Sequence, residues 1–246
     1  MRFLAQAAGL VWHNVSLVLV YAAFTAGANG LAQASNAIIQ HRTFGTLSEA
    51  GQHAFAFASD IVLVLAVAFV QSVVFARLGR EVDKPLWKIS GDKEALRRYL
   101  TLWVLLNLLP ILFVRVAGWG GGVLLKTPVG AIAFFLFLVS YLLCLPVGGC
   151  FMFSGRSEWA EIPNNLAPLI HQFPRTLLLL ALNFVQLLIM LELGVVLENN
   201  PDALGWVWMS VILYGVFGVC DCLVFVGTWL ICMTDREAMD DLDFDF

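Results

Sequence analysis

Six long apolar segments alternate with short polar connections along the chain. Each is close to the ~20 residues that an α-helix needs to cross the hydrocarbon core of a bilayer. The segments run from about Leu10 to Ala34, Ala54 to Ala76, Tyr99 to Ala117, Pro128 to Cys150, Thr176 to Leu197, and Gly205 to Met233. The pattern predicts an all-α, polytopic transmembrane helix bundle of six spans over residues 1–234.

Composition supports a membrane protein. Hydrophobic residues make up 60% of the 246 residues and charged residues 13%, whereas soluble domains have about 45–50% and ~25%. A water-soluble globule of this size could not hide so much apolar surface. We therefore expect the lipid bilayer to surround the chain, and the net charge of −4 gives no indication of nucleic-acid binding.

Basic residues lie almost entirely on one side of the predicted membrane. The side that holds the amino terminus has eleven of them, and the opposite side has only Arg42 and Lys126. The eleven are Arg2, Arg77, Arg80, Lys84, Lys88, Lys93, Arg97, Arg98, Arg156, Arg175 and Arg236. Such a bias predicts that both termini face the cytoplasm in a multi-pass protein.

Small and aromatic residues indicate how the helices pack and where they end. Ala22, Ala26 and Gly30 recur at every fourth position of the first segment, a spacing that allows another helix to approach closely. Tryptophans near span ends are typical anchors at the membrane interface. The ones that fit this interpretation are Trp12, Trp103, Trp119, Trp206, Trp208 and Trp229.

Three ionisable residues lie inside predicted spans at a similar depth. Asp60, Arg115 and Glu192 fall in the outer third of the second, third and fifth segments. Because an unpaired charge in hydrocarbon is costly, we expect Arg115 to pair with one or both carboxylates and to join these helices. A charged gate, a substrate-binding layer, or side chains that reach the lipid headgroups are the alternatives.

Asp221 lies near the middle of the last segment, between Cys220 and Cys222. Asn107 and Asn183 lie at a similar depth, where their amides can donate hydrogen bonds to the carboxylate, unless the acid is protonated. This grouping predicts a polar cluster that specifies helix packing. The alternative is a proton- or ion-coupling carboxylate.

Sequence motifs give no indication of catalysis, a metal or a cofactor. Cys220 and Cys222 are about 200° apart on a helix and face away from each other. All five cysteines lie in or beside apolar runs, which argues against a disulfide framework. Common hydrolase, metalloprotease and phosphate-loop motifs are missing from the sequence. We therefore expect a protein that is not an enzyme and holds no cofactor.

The connection after the second segment is rich in basic residues and contains a tryptophan. A juxtamembrane basic cluster attracts anionic lipid headgroups, and a docking surface for an acidic partner is the alternative. The residues predicted to contact lipid or a partner are Arg77, Arg80, Lys84, Trp87, Lys88, Lys93, Arg97 and Arg98.

Two further surface segments carry their own patterns. Residues Ser157–Arg175 have apolar side chains at three- and four-residue steps, which predicts an amphipathic interfacial helix broken by Pro163 and Pro168, or a re-entrant segment. Residues 235–246 alternate acidic with apolar side chains, and we expect this acidic cytoplasmic tail to be disordered. A partner-binding segment, or a tail that folds back on the basic connection, is the alternative.

The layout resembles the bacterial YciC-type (UPF0259) and DUF4013-like inner-membrane proteins. Shared features are six spans in about 240 residues, Asn14 near the start of the first span, the basic connection after the second, and the amphipathic Ser157–Arg175 segment before the fifth. The resemblance implies a bacterial inner-membrane location and assigns no biochemical activity.

Three classes of function fit these observations. The favoured one is a non-catalytic accessory or assembly subunit of a larger membrane complex, with other membrane-protein subunits as partners. The second is a small transporter or permease subunit that uses the intramembrane carboxylate of Asp221. The third is a membrane enzyme or a cofactor-carrying subunit.

Overall fold

All regular structure in the described part of the chain is α-helical. The computed structural model describes residues 2–40, 49–82, 91–118, 127–155, 162–199 and 204–243. Its helices are α1 (Arg2–His13), α2 (Val15–Gln40), α3 (Glu49–Val82), α4 (Asp92–Gly118), α5 (Pro128–Ser154), α6 (Ile162–His171), α7 (Phe173–Asn199) and α8 (Leu204–Asp243). Within these ranges, α3, α4, α5, α7 and α8 are long and apolar enough to cross a membrane, and α1 with α2 forms a bent sixth candidate. The predicted bundle of about six membrane-spanning helices is confirmed.

The two ends of the bundle differ in charge. We call the end formed by the last turns of α3 and the first turns of α4 the basic end, because Arg77, Arg80, Lys93, Arg97 and Arg98 lie there. The opposite end is called the distal end. Large apolar side chains are exposed along the spans, among them Phe69, Phe135, Leu188 and Ile212, as expected of helices that face lipid.

The first predicted span is broken near its start. A bend of 88° separates α1 from α2, and the buried Asn14 lies at the corner, where its Nδ2 donates to Leu10 O at 3.0 Å. Because α1 buries Ala7 and Val11 and exposes Trp12, it has the character of an amphipathic interfacial helix. The span predicted from about Leu10 therefore contains a corner that the sequence analysis did not foresee, and α2 starts after it at Val15.

Small residues join α2 to α8. A Cβ atom added to Gly218 would lie 2.8 Å from Ala22 Cα, and one added to Gly215 would lie 3.6 Å from Ala26 Cβ. The hydroxyl of Thr25 donates to Tyr214 O at 2.9 Å across the same seam. The predicted close approach along Ala22, Ala26 and Gly30 is thus present, and Gly30 faces Val211.

Aromatic side chains fill the basic half of the bundle. Phe75 stacks on Phe225 with ring centroids 4.5 Å apart, and Trp103 lies 5.2 Å from Phe75. Trp229 continues the contact, 5.5 Å from Phe225. We call these four residues the aromatic layer. Gly79 makes room for it, because a Cβ there would lie 2.7 Å from Trp229 Cη2.

The aromatic layer corrects the interpretation of the tryptophans. Trp103 is 0% exposed and Trp229 is 1% exposed, so neither is an interfacial anchor. Trp12, Trp206 and Trp208 are exposed, as anchors would be, and Trp119 lies outside the described residues. Proximity to the end of an apolar run did not distinguish tryptophans that face inward from those that face lipid.

The segment before α7 contains the predicted amphipathic helix, but its prolines do not break it. Helix α6 starts at Ile162, so Pro163 lies in its first turn, where a missing N–H is tolerated. Pro168 lies inside the helix, which continues to His171. Asn165 and Leu169 are buried, whereas Ile170 is exposed. The helix ends at the turn around Gln172, after which α7 starts.

The acidic tail is helical and not disordered over the part that the structure describes. Helix α8 continues beyond its membrane-spanning part to Asp243. Asp235 Oδ1 lies 2.9 Å from His171 Nδ1 of α6, and the Arg236 guanidinium lies 5.3 Å from the centre of the Phe153 ring. The start of the tail is therefore tied to the basic end of the bundle.

Candidate functional site

A cavity of about 220 Å³ lies in the middle of the bundle, between α3, α4, α5, α7 and α8. Its polar lining consists of Gln71, Asn107, Tyr141, Cys144, Asn183 and Asp221. Its apolar lining consists of Leu63, Val64, Val67, Pro110, Ile111 and Leu145. The volume is below the ~300–1,000 Å³ of sites for drug-sized ligands, so the cavity suits a small solute.

The cavity has a closed floor toward the basic end. Three of its polar residues lie one helical turn to the distal side of an aromatic residue on the same helix: Gln71 precedes Phe75, Asn107 follows Trp103, and Asp221 precedes Phe225. Residues four apart on a helix share one face. The aromatic layer therefore lies directly beneath the polar groups and separates them from the basic end.

A chain of hydrogen bonds crosses four helices and ends on Asp221. Asn107 Nδ2 donates to Gln71 Oε1 at 2.6 Å, and Gln71 Nε2 donates to the Tyr21 hydroxyl at 3.1 Å. Tyr21 in turn donates to Asp221 Oδ2 at 3.4 Å. The other carboxylate oxygen, Oδ1, accepts from Gln186 Nε2 at 3.2 Å. Both oxygens of Asp221 are thus acceptors.

These contacts suit an ionised carboxylate, which can accept a hydrogen bond on each oxygen. Gln186 supplies an N–H donor to Oδ1, and the Tyr21 hydroxyl lies within hydrogen-bond distance of Oδ2. In the part of the chain that the structure describes, Asp221 forms no ion pair. Gln186 Oε1 is a further buried acceptor, with no hydrogen-bond partner among the described residues. Asp221 therefore lies on the cavity with no cationic side chain among the described lining residues.

The predicted grouping of Asp221 with two asparagines is only partly right. Asn107 and Asn183 line the same cavity as Asp221, but neither donates to it directly, because Asn183 Nδ2 instead donates to Leu142 O at 3.0 Å. The direct donors are Tyr21 and Gln186, which the sequence analysis did not select. Polar uncharged side chains inside apolar runs, Gln71 and Gln186 among them, were the signal that would have identified the network.

The charged layer of the outer third contains one ion pair and one separate carboxylate. Arg115 Nε and Nη2 lie 2.8 and 2.5 Å from Asp60 Oδ2, so α3 and α4 are joined as expected. Glu192 is exposed on α7 and makes no ion pair with a described residue. The three residues do not form a single cluster.

The basic surface contains ion pairs of its own. Arg77 binds Asp92 through two hydrogen bonds, Arg80 lies 3.5 Å from Asp92, and Arg98 pairs with Glu94 at 2.8 Å. Lys93 and Arg97 are exposed one turn apart on α4. Three residues of the predicted contact surface, Lys84, Trp87 and Lys88, lie outside the described residues.

The described residues contain no candidate metal site and no disulfide bond. No group of three or more His, Cys, Asp or Glu side chains there could hold a metal ion. All five cysteines are free thiols. Cys150 and Cys232 approach each other, with their sulfur atoms 3.5 Å apart between α5 and α8. Both are buried in the basic half, away from the cavity.

Comparison with known proteins gives no indication of function, so the function must be inferred from the geometry of the cavity. No protein-family model matches the chain, and no curated protein and no solved structure shows significant similarity to it. The resemblance to six-span bacterial proteins therefore stays a prediction.

Proposed function

We propose that this protein binds a small cation in the cavity around Asp221 and carries it across the membrane. The observation that supports the proposal most strongly is that Asp221 accepts hydrogen bonds on both oxygens in a cavity where the described residues supply no positive charge. An uncompensated carboxylate at this depth costs several kcal/mol. A bound cation removes that cost, and this difference in free energy is the basis of affinity.

The form of the cavity supports transport more than static binding. Its apolar lining continues from Gln71 along α3 to Leu63 and from Asn107 along α4 to Ile111, toward the distal end. The aromatic layer closes the other side. In an alternating-access carrier, the site in the middle of the membrane is open toward one side and closed toward the other in each of its two states. The cavity has this form.

The charge distribution supports an orientation of the protein in the membrane. The basic end has eleven of the chain's Lys and Arg residues on its side, which supports placing it in the cytoplasm. On this interpretation the cavity faces outward in this state. The resemblance to six-span bacterial proteins implies that the membrane is the cytoplasmic membrane of a bacterium.

One observation supports a role in a larger complex as a second candidate. Glu192 is exposed on α7 among the exposed apolar side chains of Leu188, Ile189 and Val195. A carboxylate on a lipid-facing surface is costly, and a basic residue on a neighbouring span would neutralise it. If so, mild-detergent purification recovers a partner from the wild type and less of it from Glu192→Gln.

Cation flux into proteoliposomes tests the main proposal. Vesicles containing the purified protein are exposed to Na⁺, K⁺, methylammonium or guanidinium, and uptake is measured against empty vesicles. We expect uptake of at least one of these cations and its loss in Asp221→Asn, which keeps the shape of the side chain and removes the charge. Glu192→Gln, which removes an exposed carboxylate outside the cavity, is the matched control and retains uptake.

Two results contradict the proposal. The first is that none of the four cations moves faster than in empty vesicles, although the protein is inserted and folded. The second is uptake that Asp221→Asn leaves unchanged.

A further inference from the structure

The Asp60–Arg115 ion pair lies on the faces of α3 and α4 that line the cavity. Leu63 and Val64 line it from α3, three and four residues after Asp60. Ile111 lines it from α4, four residues before Arg115. Because residues three or four apart share a helical face, the pair stands one turn beyond the cavity, on its distal side.

A solute that approaches Asp221 from the distal end along α3 and α4 passes this pair. Asp60 precedes Gln71 by eleven residues on α3, which at about 1.5 Å per residue is roughly 16 Å of helix. The route thus has two carboxylates, Asp60 near its outer end and Asp221 at its floor. Only the first one is neutralised by a cationic side chain in the described structure.

The geometry of the ion pair leaves one oxygen of the Asp60 carboxylate available to a second cation. Both hydrogen bonds from Arg115 end on Asp60 Oδ2, so the guanidinium leaves Oδ1 of the same carboxylate unused. The pair is also partly exposed, with 44% of the Arg115 side chain and 25% of the Asp60 side chain accessible. An incoming cation can therefore contact Oδ1 before Arg115 leaves, so that Asp60 keeps a positive partner during the exchange.

We propose that the Asp60–Arg115 ion pair is the distal gate of the cavity, and that an entering cation opens it by replacing Arg115 on Asp60. When Arg115 is released, the link between α3 and α4 at this level is lost and the path to Asp221 opens. After the cation moves on to Asp221, Arg115 returns to Asp60 and closes the gate. This inference rests on the proposed cation site but concerns access to it.

Access is measured with a thiol placed behind the gate. Val67→Cys puts a reporter in the cavity lining, two turns inward of Asp60, and Cys144→Ala removes the native thiol of the cavity. The protein is held in lipid nanodiscs and treated with 2-sulfonatoethyl methanethiosulfonate, which is an anion and does not act as the cation. Peptide mass spectrometry gives the rate of modification at position 67.

Breaking the pair should speed modification. In Arg115→Gln the rate rises about two- to fivefold, the range expected for loss of a partly exposed ion pair. The exchanged pair Asp60→Arg with Arg115→Asp returns the rate toward that of the intact gate, which separates gating from general loosening of the fold. Glu192→Gln leaves the rate unchanged.

Guanidinium, which has the charged group of Arg115, tests the exchange itself. It should raise the rate when the pair is intact and should add nothing in Arg115→Gln, with N-methyl-D-glucamine chloride at equal ionic strength as the reference. Two results would overturn the gate. One is an equal modification rate in the intact and Arg115→Gln proteins, and the other is a rate in the exchanged pair as high as in Arg115→Gln. An unchanged rate with guanidinium would overturn the cation-driven opening. Because thiol modification does not require flux, these outcomes remain separate from failure of the cation site.

Discussion

The hydroxyl of Tyr21 on α2 lies 3.4 Å from Asp221 Oδ2 on α8 and accepts a hydrogen bond from Gln71 of α3 at 3.1 Å. The Tyr21 hydroxyl thus links the Gln71 amide to the Asp221 carboxylate by hydrogen bonds, and the three residues lie on three different helices. Tyr21 is 1% exposed and packs on Phe75 of the aromatic layer. The polar network and the floor of the cavity therefore share a residue, and disturbing one disturbs the other.

Tyr21→Phe removes both the donor to Asp221 and the acceptor for Gln71. Because a buried polar group left without a partner is costly, we expect a loss of about 1–3 kcal/mol in the free energy of unfolding. The measurement is denaturant unfolding in mixed micelles. The double variant Tyr21→Phe with Gln71→Leu should lose less than the sum of the two single variants, since both remove the same Gln71–Tyr21 hydrogen bond. Strictly additive effects would show that the two side chains are not coupled.

Gly218→Leu should separate α2 from α8. A Cβ at this position would already lie 2.8 Å from Ala22 Cα, so a larger side chain forces the helices apart and costs about 1–3 kcal/mol or more. Gly194→Leu is the matched control, because a Cβ there meets nothing within 4 Å. Equal unfolding free energies for the two variants would contradict the packing of the seam.

Phe225→Ala should open the floor of the cavity. The ring is fully buried against Phe75, and its removal leaves a void beneath Asp221 that costs about 3–5 kcal/mol of stability. We expect faster passive leak of guanidinium from loaded proteoliposomes, with the milder Phe225→Leu giving an intermediate rate. Phe184→Ala, which truncates an exposed ring on α7, should not leak. Leak that does not depend on position 225 would exclude the aromatic layer as the seal.

Asp235→Asn should loosen the attachment of α6 to α8. The carboxylate lies 2.9 Å from His171 Nδ1 and is largely buried, so the neutral amide loses a charge-assisted contact. Hydrogen exchange of backbone amides in residues 162–171 should become faster. Glu237→Gln, an exposed change on the same helix, serves as the reference and should leave exchange in α6 as it is.

Apolar run length was sufficient to predict a bundle of about six spans, because the bilayer requires about 20 apolar residues of any helix that crosses it. It did not locate the corner at Asn14. A buried asparagine that bonds to its own preceding turn can end a helix there. Trp12, His13 and Asn14 interrupt the apolar run, but such an interruption does not by itself indicate a corner. The prediction of a disordered tail was also wrong. Helix α8 continues to Asp243, and Asp235 contacts His171 of α6, a residue that is distant in sequence.

The site could be predicted only to the level of depth along each helix. Asp221, Asn107 and Asn183 share a depth, and the structure places all three on one cavity. Depth gives no direction around the helix axis, so it did not select Tyr21 and Gln186 as the donors or separate Glu192 from Asp60 and Arg115. Helix rotation is set by packing between distant segments, as Gly218 against Ala22 shows.

Cation binding at Asp221 is tested most directly by the thermal stability of the purified protein in the presence of the cation that it transports. A ligand that binds only the folded state stabilises it by about 2.7 kcal/mol at a concentration of 100 times its Kd. We predict a Tm that rises with cation concentration in the wild type and in Glu192→Gln, and a Tm that does not respond in a folded Asp221→Asn protein. An equal rise in Asp221→Asn would show that the cation binds elsewhere and would contradict the account.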